Sequence, residues 1–225
     1  MRWWVLDLYQ AGLYVELISW IFWMIFSITL HELGHGWAAI WQGDDTPIVQ
    51  QRMTFNPMVH MGPMSLLTFA LIGIAWGLMP VDPSRFRWRR RGRIVVWGAG
   101  PAINLLLAFI TLTATALWER HHVGNPNLYD NVHVFLTTGG WLNLALAMFN
   151  LLPVPPLDGA GILSGMSFTF YRWYQNPQAQ QIGWFILLAI FMSGIGGLFY
   201  LAAENMAQTY VDAIASLLGG ARPVP

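Results

Sequence analysis

Residues 13–41, LYVELISWIFWMIFSITLHELGHGWAAIW, form an apolar run that carries the motif HELGH at residues 31–35. A helix needs roughly 20 mostly apolar residues to cross a bilayer, and this run is longer than that. Its only charged residues are Glu16 and Glu32. Because an ionisable group inside a membrane helix is costly, such a group is a functional residue by default. We interpret the run as a membrane-spanning helix that carries a functional site.

The composition of the whole chain agrees with a membrane protein. The 225 residues are 56% hydrophobic and only 10% charged, against about 25% charged residues in soluble domains. The 11 basic and 11 acidic residues balance, so no nucleic-acid partner is expected. The chain has no cysteine, which leaves histidine and carboxylate as metal ligands. We expect residues 1–225 to form a single membrane-embedded domain with no appended soluble domain.

Three further apolar stretches reach or approach the length of a membrane span, at residues 93–118, 133–152 and 182–201. Residues 64–79 are also apolar, but this stretch is shorter and contains two glycines, so we expect it to enter the membrane and return. Residues 203–218 are typical of a short amphipathic helix on the surface. The predicted fold is an all-α polytopic membrane protein, a bundle of about four to six transmembrane helices.

A cluster of six arginines within residues 85–93 indicates the orientation. Basic segments tend to stay on the cytoplasmic side, so a re-entrant segment at 64–79 would place the HELGH end of the first helix on that side too. Two other interpretations of the cluster stay open, a site for anionic lipids and a site for a partner protein. His60 lies in the predicted re-entrant region, and its role is left open between a functional contact and packing or a place at the membrane interface.

The spacing within HELGH predicts a metal site. His31 and His35 are four residues apart, so their imidazoles share one helix face and can bind one metal ion. From its position beside His31, Glu32 can take a proton from a metal-bound water without binding the metal. A catalytic zinc site usually has three protein ligands and one open position. Asp158 is the best third candidate because it follows the proline-broken end of another apolar helix; the alternative is an ordinary helix cap.

Three motifs follow one another on successive apolar helices: HELGH at 31–35, GPAIN at 100–104 and NLLPVPPLDG at 150–159. In this order they resemble the site-2 protease family of intramembrane zinc metalloproteases, in its compact prokaryotic branch. The resemblance implies that His31, His35 and Asp158 bind Zn²⁺ and that Glu32 is the general base. It also implies a re-entrant or short β-hairpin element after the first motif helix, which would hold a substrate as an extended strand.

The resemblance also draws attention to two asparagines. Asn150 opens the third motif and is suited to hydrogen-bond the oxyanion of the tetrahedral intermediate. Asn104 closes GPAIN and is a weaker candidate for the same catalytic cavity; its alternative is an interhelical hydrogen bond without a catalytic part. Leu78 and Met79 stand before PVDP, where relatives often have a basic residue, so substrate contacts are expected to differ there.

The predicted function is intramembrane zinc-dependent hydrolysis of peptide bonds within or next to transmembrane segments of other proteins. The expected partners are a transmembrane protein substrate, the lipid bilayer and a regulatory membrane partner. The expected location is a prokaryotic inner or plasma membrane, as a multi-pass protein. Two alternatives stay open: a catalytically silent membrane scaffold, against which the intact Glu32 argues, and a metal transporter, which would often show internal repeats.

Overall fold

The computed structural model describes residues 4–121 and 124–219, and these residues form helices and no strand. In chain order the helices are α1 (Trp4–Gln10), α2 (Tyr14–Gln42), α3 (Thr46–Val49), α4 (Pro57–Ile72), α5 (Arg89–His121), α6 (Pro126–Asn150), α7 (Asp158–Met166), α8 (Phe168–Tyr174), α9 (Pro177–Met192) and α10 (Ile195–Leu217).

Three of the helices begin at an Asn-Pro pair. In each pair the asparagine is the N-cap and its side chain accepts a hydrogen bond from the backbone N–H two residues later. The proline takes the first helical position, where its missing N–H has no intrahelical partner to lose. A cap of this kind stabilises a helix by about 1 kcal/mol. The three pairs are Asn56-Pro57, Asn125-Pro126 and Asn176-Pro177.

Three helices, α2, α5 and α6, are long and apolar enough to cross a membrane. The pair α9 and α10 passes the same test as one span, although the two helices are bent by 72° at the break between them. The all-α polytopic fold is therefore confirmed, with three candidate spans, or four if the bent pair is one span. Four is the lower end of the predicted number and three lies below it, because α7 and α8 have only 9 and 7 residues and are too short to cross.

The helix α5 lies at the centre and packs against α2, α6, α7 and α10. On the other side of α2, a core cluster joins α2 to α4 and α6, with Trp23, Ile28, Met61, Phe69 and Leu142 among its buried members. These contacts hold α2, which carries HELGH, between α4 and α5. The two histidines of the motif are thereby held against the central helix.

The surface helix predicted over residues 203–218 is wrong. α10 runs through this stretch to Leu217 without a break, and Ala203, Ala207 and Val211 are buried at every fourth position. Ala207 and Val211 pack against α5 in a hydrophobic cluster. Small side chains at this spacing allow two helices to approach closely, so the apolar stripe forms a helix–helix contact instead of facing the membrane surface.

The chain reverses direction after the first motif helix. Residues 74–80 belong to no helix or strand and return beside α4, where alternate residues form hydrogen bonds: Trp76 N donates to Ser65 Oγ at 2.8 Å and Leu78 N donates to His60 O at 3.0 Å. Because bonds from alternate residues are the pattern of an extended chain, we call this segment the extended run. The return reaches the end of α2, because Arg87 N donates to Gln42 O at 2.6 Å. Both flanks of this segment therefore lie at one end of the molecule. The segment contains a helix and one extended run, so the β-hairpin alternative is not confirmed, and its entry into the membrane stays a prediction.

Candidate metal centre

Within the described ranges, His31, His35 and Asp158 form a group of side chains that could together hold a metal ion. All three are buried. The Nε2 atoms of His31 and His35 are 3.0 Å apart. Asp158 places Oδ2 at 3.0 Å from Nε2 of His31 and Oδ1 at 3.3 Å from Nε2 of His35. The structure thus brings together the three side chains that the sequence suggested as ligands.

The proline-rich turn between α6 and α7 positions Asp158. α6 ends at Asn150 and α7 begins at Asp158, because the prolines between them lack the N–H groups that a continuous helix requires. Asp158 Oδ2 is buried and has no hydrogen-bond donor within the described part of the chain. A capping carboxylate would accept from backbone N–H groups of its own helix, and none of the hydrogen bonds formed by the described residues is of this kind.

The second ring nitrogen of each histidine is held by α5. His31 Nδ1 lies 2.6 Å from Asn104 Oδ1, and His35 Nδ1 lies 2.7 Å from Val96 O. Both oxygens accept hydrogen bonds, so each Nδ1 carries the proton and donates it, while each Nε2 keeps its lone pair on the side of Asp158. Histidines that bind metals are oriented by partners of this type.

Asn104 is itself held by Asn143 of α6, a residue that the sequence analysis missed. Asn104 Nδ2 donates to Asn143 Oδ1 at 2.9 Å, and Asn143 Nδ2 donates to Gly139 O at 2.8 Å. Both side chains are fully buried, with 0% exposure. Since Asn104 has both amide atoms engaged in these bonds, its position favours orienting His31 over binding an oxyanion. The sequence feature that could have identified Asn143 is its polar amide in the middle of an apolar helix.

Asn150 does not contact the metal-binding group. It lies at the end of α6, half-buried, and its Nδ2 donates to Leu146 O of its own helix at 3.0 Å. In this conformation one of the two N–H groups of Nδ2 is used within the helix. Its part at the oxyanion stays a prediction.

His60 shows a packing role. The side chain is 2% exposed, and its Nε2 lies 2.6 Å from Thr54 O in the loop before α4. Its backbone oxygen accepts the hydrogen bond from Leu78 N. His60 therefore joins the loop before α4 to the returning extended run.

Two glycines make room for the chemically important groups. A β-carbon at Gly100 of α5 would overlap the imidazoles of His31 and His35, and one at Gly77 would overlap the carboxylate of Glu32. The Glu32 side chain is buried beside the extended run and makes no hydrogen bond with any described residue. A carboxylate that no fixed donor engages is available to accept a proton.

The donor set fits zinc. Zinc binds nitrogen and oxygen ligands at roughly 2.0–2.2 Å in a tetrahedral arrangement, which sets the ligand atoms about 3.3 Å apart. The two Nε2 atoms are 3.0 Å apart here, close to that spacing, and each lies 3.0 or 3.3 Å from one of the two Asp158 carboxylate oxygens. The buried Asp158 Oδ2, which lacks a donor, is the kind of atom that a cation satisfies. Three protein ligands leave one coordination position open, as in catalytic zinc sites.

Comparison with known proteins also indicates a metal-dependent peptidase. The family model described as Peptidase family M50 matches residues 121–194. YwhC of Bacillus subtilis, provisionally named a zinc metalloprotease, is 34% identical over 175 residues, which cover 77% of this chain and 80% of YwhC. Rip2 of Mycobacterium tuberculosis, with the same provisional name, is 33% identical over 169 residues, which cover 71% of this chain and 60% of Rip2.

A more distant similarity extends to an archaeal protein. MJ0392 of Methanocaldococcus jannaschii, named a zinc metalloprotease, is 26% identical over 182 residues, which cover 78% of this chain and 44% of MJ0392. No solved structure matches the chain at a significant level.

Proposed function

The chain belongs to peptidase family M50 and is an intramembrane zinc metalloprotease, and from this premise we propose that His31, His35 and Asp158 hold the zinc and that Glu32 is the general base. The observation that carries the proposal is the convergence of three buried ligand atoms, all within 4.8 Å of one another, from two separate helices. We further propose that residues 1–225 act as one domain inserted as a multi-pass protein in the cell membrane.

When bound at this site, zinc supplies a Lewis acid that polarises the scissile carbonyl and makes water acidic enough to lose a proton near neutral pH. Glu32 accepts that proton and later delivers it to the leaving amine. Its place one residue after His31 keeps the carboxylate beside the metal-binding group, where it forms no hydrogen bond with a described residue. Asn150 has a second N–H on Nδ2 besides the one donated to Leu146 O, and we propose that this N–H donates to the developing oxyanion.

The substrate we propose is a transmembrane segment that has locally unwound. The extended run 74–80 supports this, because its hydrogen bonds to α4 come from alternate residues, Trp76 and Leu78. Successive backbone groups of an extended chain face opposite sides. The groups of Ala75, Gly77 and Met79 accordingly form an edge that makes no backbone hydrogen bond with the described residues. An extended peptide can pair along this edge, beside Glu32.

The metal requirement tests this function directly. We expect the purified protein, co-reconstituted in vesicles with a single-span substrate, to cleave a substrate whose span carries helix-breaking residues and to leave an all-leucine span intact. Removal of zinc by a strong chelator is expected to abolish cleavage, and added zinc to restore it. The measurement is the appearance of cleaved fragments on gels and by mass spectrometry.

Cleavage that continues after complete metal removal would contradict a zinc-dependent mechanism. Metal flux into empty vesicles without cleavage would instead favour the transporter alternative. The names of the relatives do not favour that alternative or the silent scaffold.

A further inference from the structure

A cavity of about 730 Å³ lies at the start of α5, and none of its lining residues belongs to the metal centre. Three guanidinium groups line it, and none of them forms an ion pair or a side-chain hydrogen bond with a described residue. The other lining residues are one indole and two aliphatic side chains. The complete lining is Arg87, Trp88, Arg89, Arg91, Ile94 and Val95.

The other arginines of the cluster are engaged elsewhere. Arg85 pairs with Asp45 and Asp82. Arg90 donates to Met166 O at 3.0 Å, and Arg93 lies over the ring of Tyr171, 4.4 Å from its centroid. A signal for membrane orientation alone requires only positive charge on one side. Arg87, Arg89 and Arg91, which line the cavity, are the arginines of this cluster whose side chains have no partner among the described residues.

The cavity changes from charged to apolar along α5. Its arginines belong to the polar segment before and at the helix start, whereas Ile94 and Val95 begin the apolar part of a candidate membrane span. Trp88 packs edge-on against Trp41 at the end of α2, with ring centroids 4.8 Å apart. Tryptophan is typical of the boundary between membrane and water. We propose that this cavity binds an anionic phospholipid, with its phosphate on the arginines and its acyl chains on Ile94 and Val95.

The chemistry of the lining selects this ligand class. Guanidinium groups bind phosphate oxygens through paired, charge-assisted hydrogen bonds. A zwitterionic lipid has a compensating ammonium group, for which the lining offers no carboxylate. A free phosphate would bind the arginines but would not contact Ile94 and Val95. The proposal does not depend on the metal chemistry, since none of the lining residues is a proposed ligand or a hydrogen-bond partner of His31 or His35.

The test is lipid binding by the purified, full-length protein in detergent, with bound lipid counted by native mass spectrometry. We expect phosphatidylglycerol to bind more tightly than phosphatidylcholine. The variant Arg87→Gln/Arg91→Gln is expected to bind phosphatidylglycerol roughly 30-fold more weakly, since each basic residue near an anionic lipid contributes to its attraction. The matched control is Arg120→Gln/Arg172→Gln, which removes two other exposed arginines and is expected to bind as the wild type does.

Two results would overturn the proposal. An equal loss in the control variant would show that total charge, and not this cavity, attracts the lipid. Displacement of the lipid by inorganic phosphate at equal concentration would show that the arginines bind phosphate alone and that Ile94 and Val95 contribute nothing to binding.

A separate observation assigns a role to Asn143. A chain of hydrogen bonds runs from Gly139 O through Asn143 and Asn104 to His31. Gly139 O can only accept, so Asn143 must turn its Nδ2 toward it and its Oδ1 toward Asn104. Asn104 then donates through Nδ2 and presents Oδ1 to His31. We infer that Asn143 is a positioning residue that fixes the tautomer of His31, through Asn104, from a helix that carries neither histidine.

The polarity of this chain resists reversal. Turning either amide by 180° would set two donors or two acceptors against each other, in a region where both asparagines are fully buried. With the chain intact, the proton of His31 stays on Nδ1 and the lone pair of Nε2 is free for zinc. This inference rests on the proposed ligand set.

The test is a double-mutant cycle on zinc affinity, measured by competition with a chelator. Asn143→Leu and Asn104→Leu are each expected to weaken zinc binding by roughly 10- to 100-fold. Because Asn143 acts through Asn104, the double variant is expected to be no weaker than Asn104→Leu alone. The visible spectrum of the cobalt-substituted protein is expected to change in the same way in all three variants.

Thr115→Val is the matched control, since Thr115 is buried on the same helix as Asn104 and its hydroxyl donates only within that helix, to Thr111 O. It is expected to leave zinc affinity and the cobalt spectrum unchanged. Losses that add in the double variant, or an equal loss in Thr115→Val, would overturn the positioning role without affecting the proposed function. Full zinc retention in His31→Ala would contradict the ligand set itself.

Discussion

Glu32→Gln is expected to slow peptide hydrolysis on the order of 10³-fold or more while the protein keeps its zinc. General acid–base catalysis contributes roughly 10²- to 10⁴-fold, and here one carboxylate is proposed both to take the proton from water and to return it to the leaving amine. Glutamine has nearly the same shape but cannot accept that proton at neutral pH. The measurements are the initial cleavage rate in vesicles and the zinc content of the same preparation.

The surroundings of Glu32 make this substitution informative. Its carboxylate has no hydrogen-bonding partner among the described residues, so the amide leaves no other buried group without a partner. It packs against Gly77, and an amide of equal size needs no extra space there. The matched control is Glu16→Gln, which removes the same charge from the same helix far from the metal centre and is expected to keep full activity.

Each departure from this result has a defined meaning. Loss of zinc in Glu32→Gln would show that Glu32 is a ligand. Full cellular function in Glu32→Gln would favour the silent scaffold, because the fold and the zinc would then be sufficient.

The parts of the centre that the sequence predicts well depend on local geometry. A separation of four residues places His31 and His35 on one helix face whatever the rest of the chain does. The prolines after Asn150 must end that helix, so Asp158 had to lie at the start of a new element. The meeting of Asp158 with the two histidines depends on how α7 packs against α5, and only the motif order suggested it.

What the sequence could not predict depends on which helix face meets which neighbour. Asn143 lies in an apolar helix, and the pattern around it does not identify Asn104 as its partner. In the same way, Ala203, Ala207 and Val211 form a stripe that fits either a membrane surface or a helix–helix contact. The sequence is ambiguous here because small side chains at this spacing can contact either kind of neighbour. In the structure, Ala207 and Val211 pack against α5.

The number of membrane-spanning helices could be predicted only in part, for a similar reason. Length and composition identified α2, α5 and α6 as spans, since these segments are long and continuous. They did not reveal where the chain bends between α9 and α10, because a bend of 72° is set by tertiary packing as well as by the residues at the break.

Asp158→Ala is expected to lose bound zinc almost completely, from about one ion per chain in the wild type. Asp158 supplies the only negative charge among the three proposed ligands and the third donor atom that a catalytic zinc site requires. Without it, two imidazoles remain, held in position by Asn104 Oδ1 and Val96 O. The measurement is zinc per chain by mass spectrometry after dialysis against a weak chelator.

Asp158→Asn separates ligation from packing, because asparagine keeps the shape of the side chain and removes its charge. It is expected to lose zinc as well, while circular dichroism and size-exclusion chromatography show a folded protein. Asp130→Ala, at an exposed position on α6, is the control that is expected to keep its zinc. Full zinc retention in both Asp158 variants would remove this carboxylate from the ligand set. The two histidines would then fall one ligand short of a catalytic site.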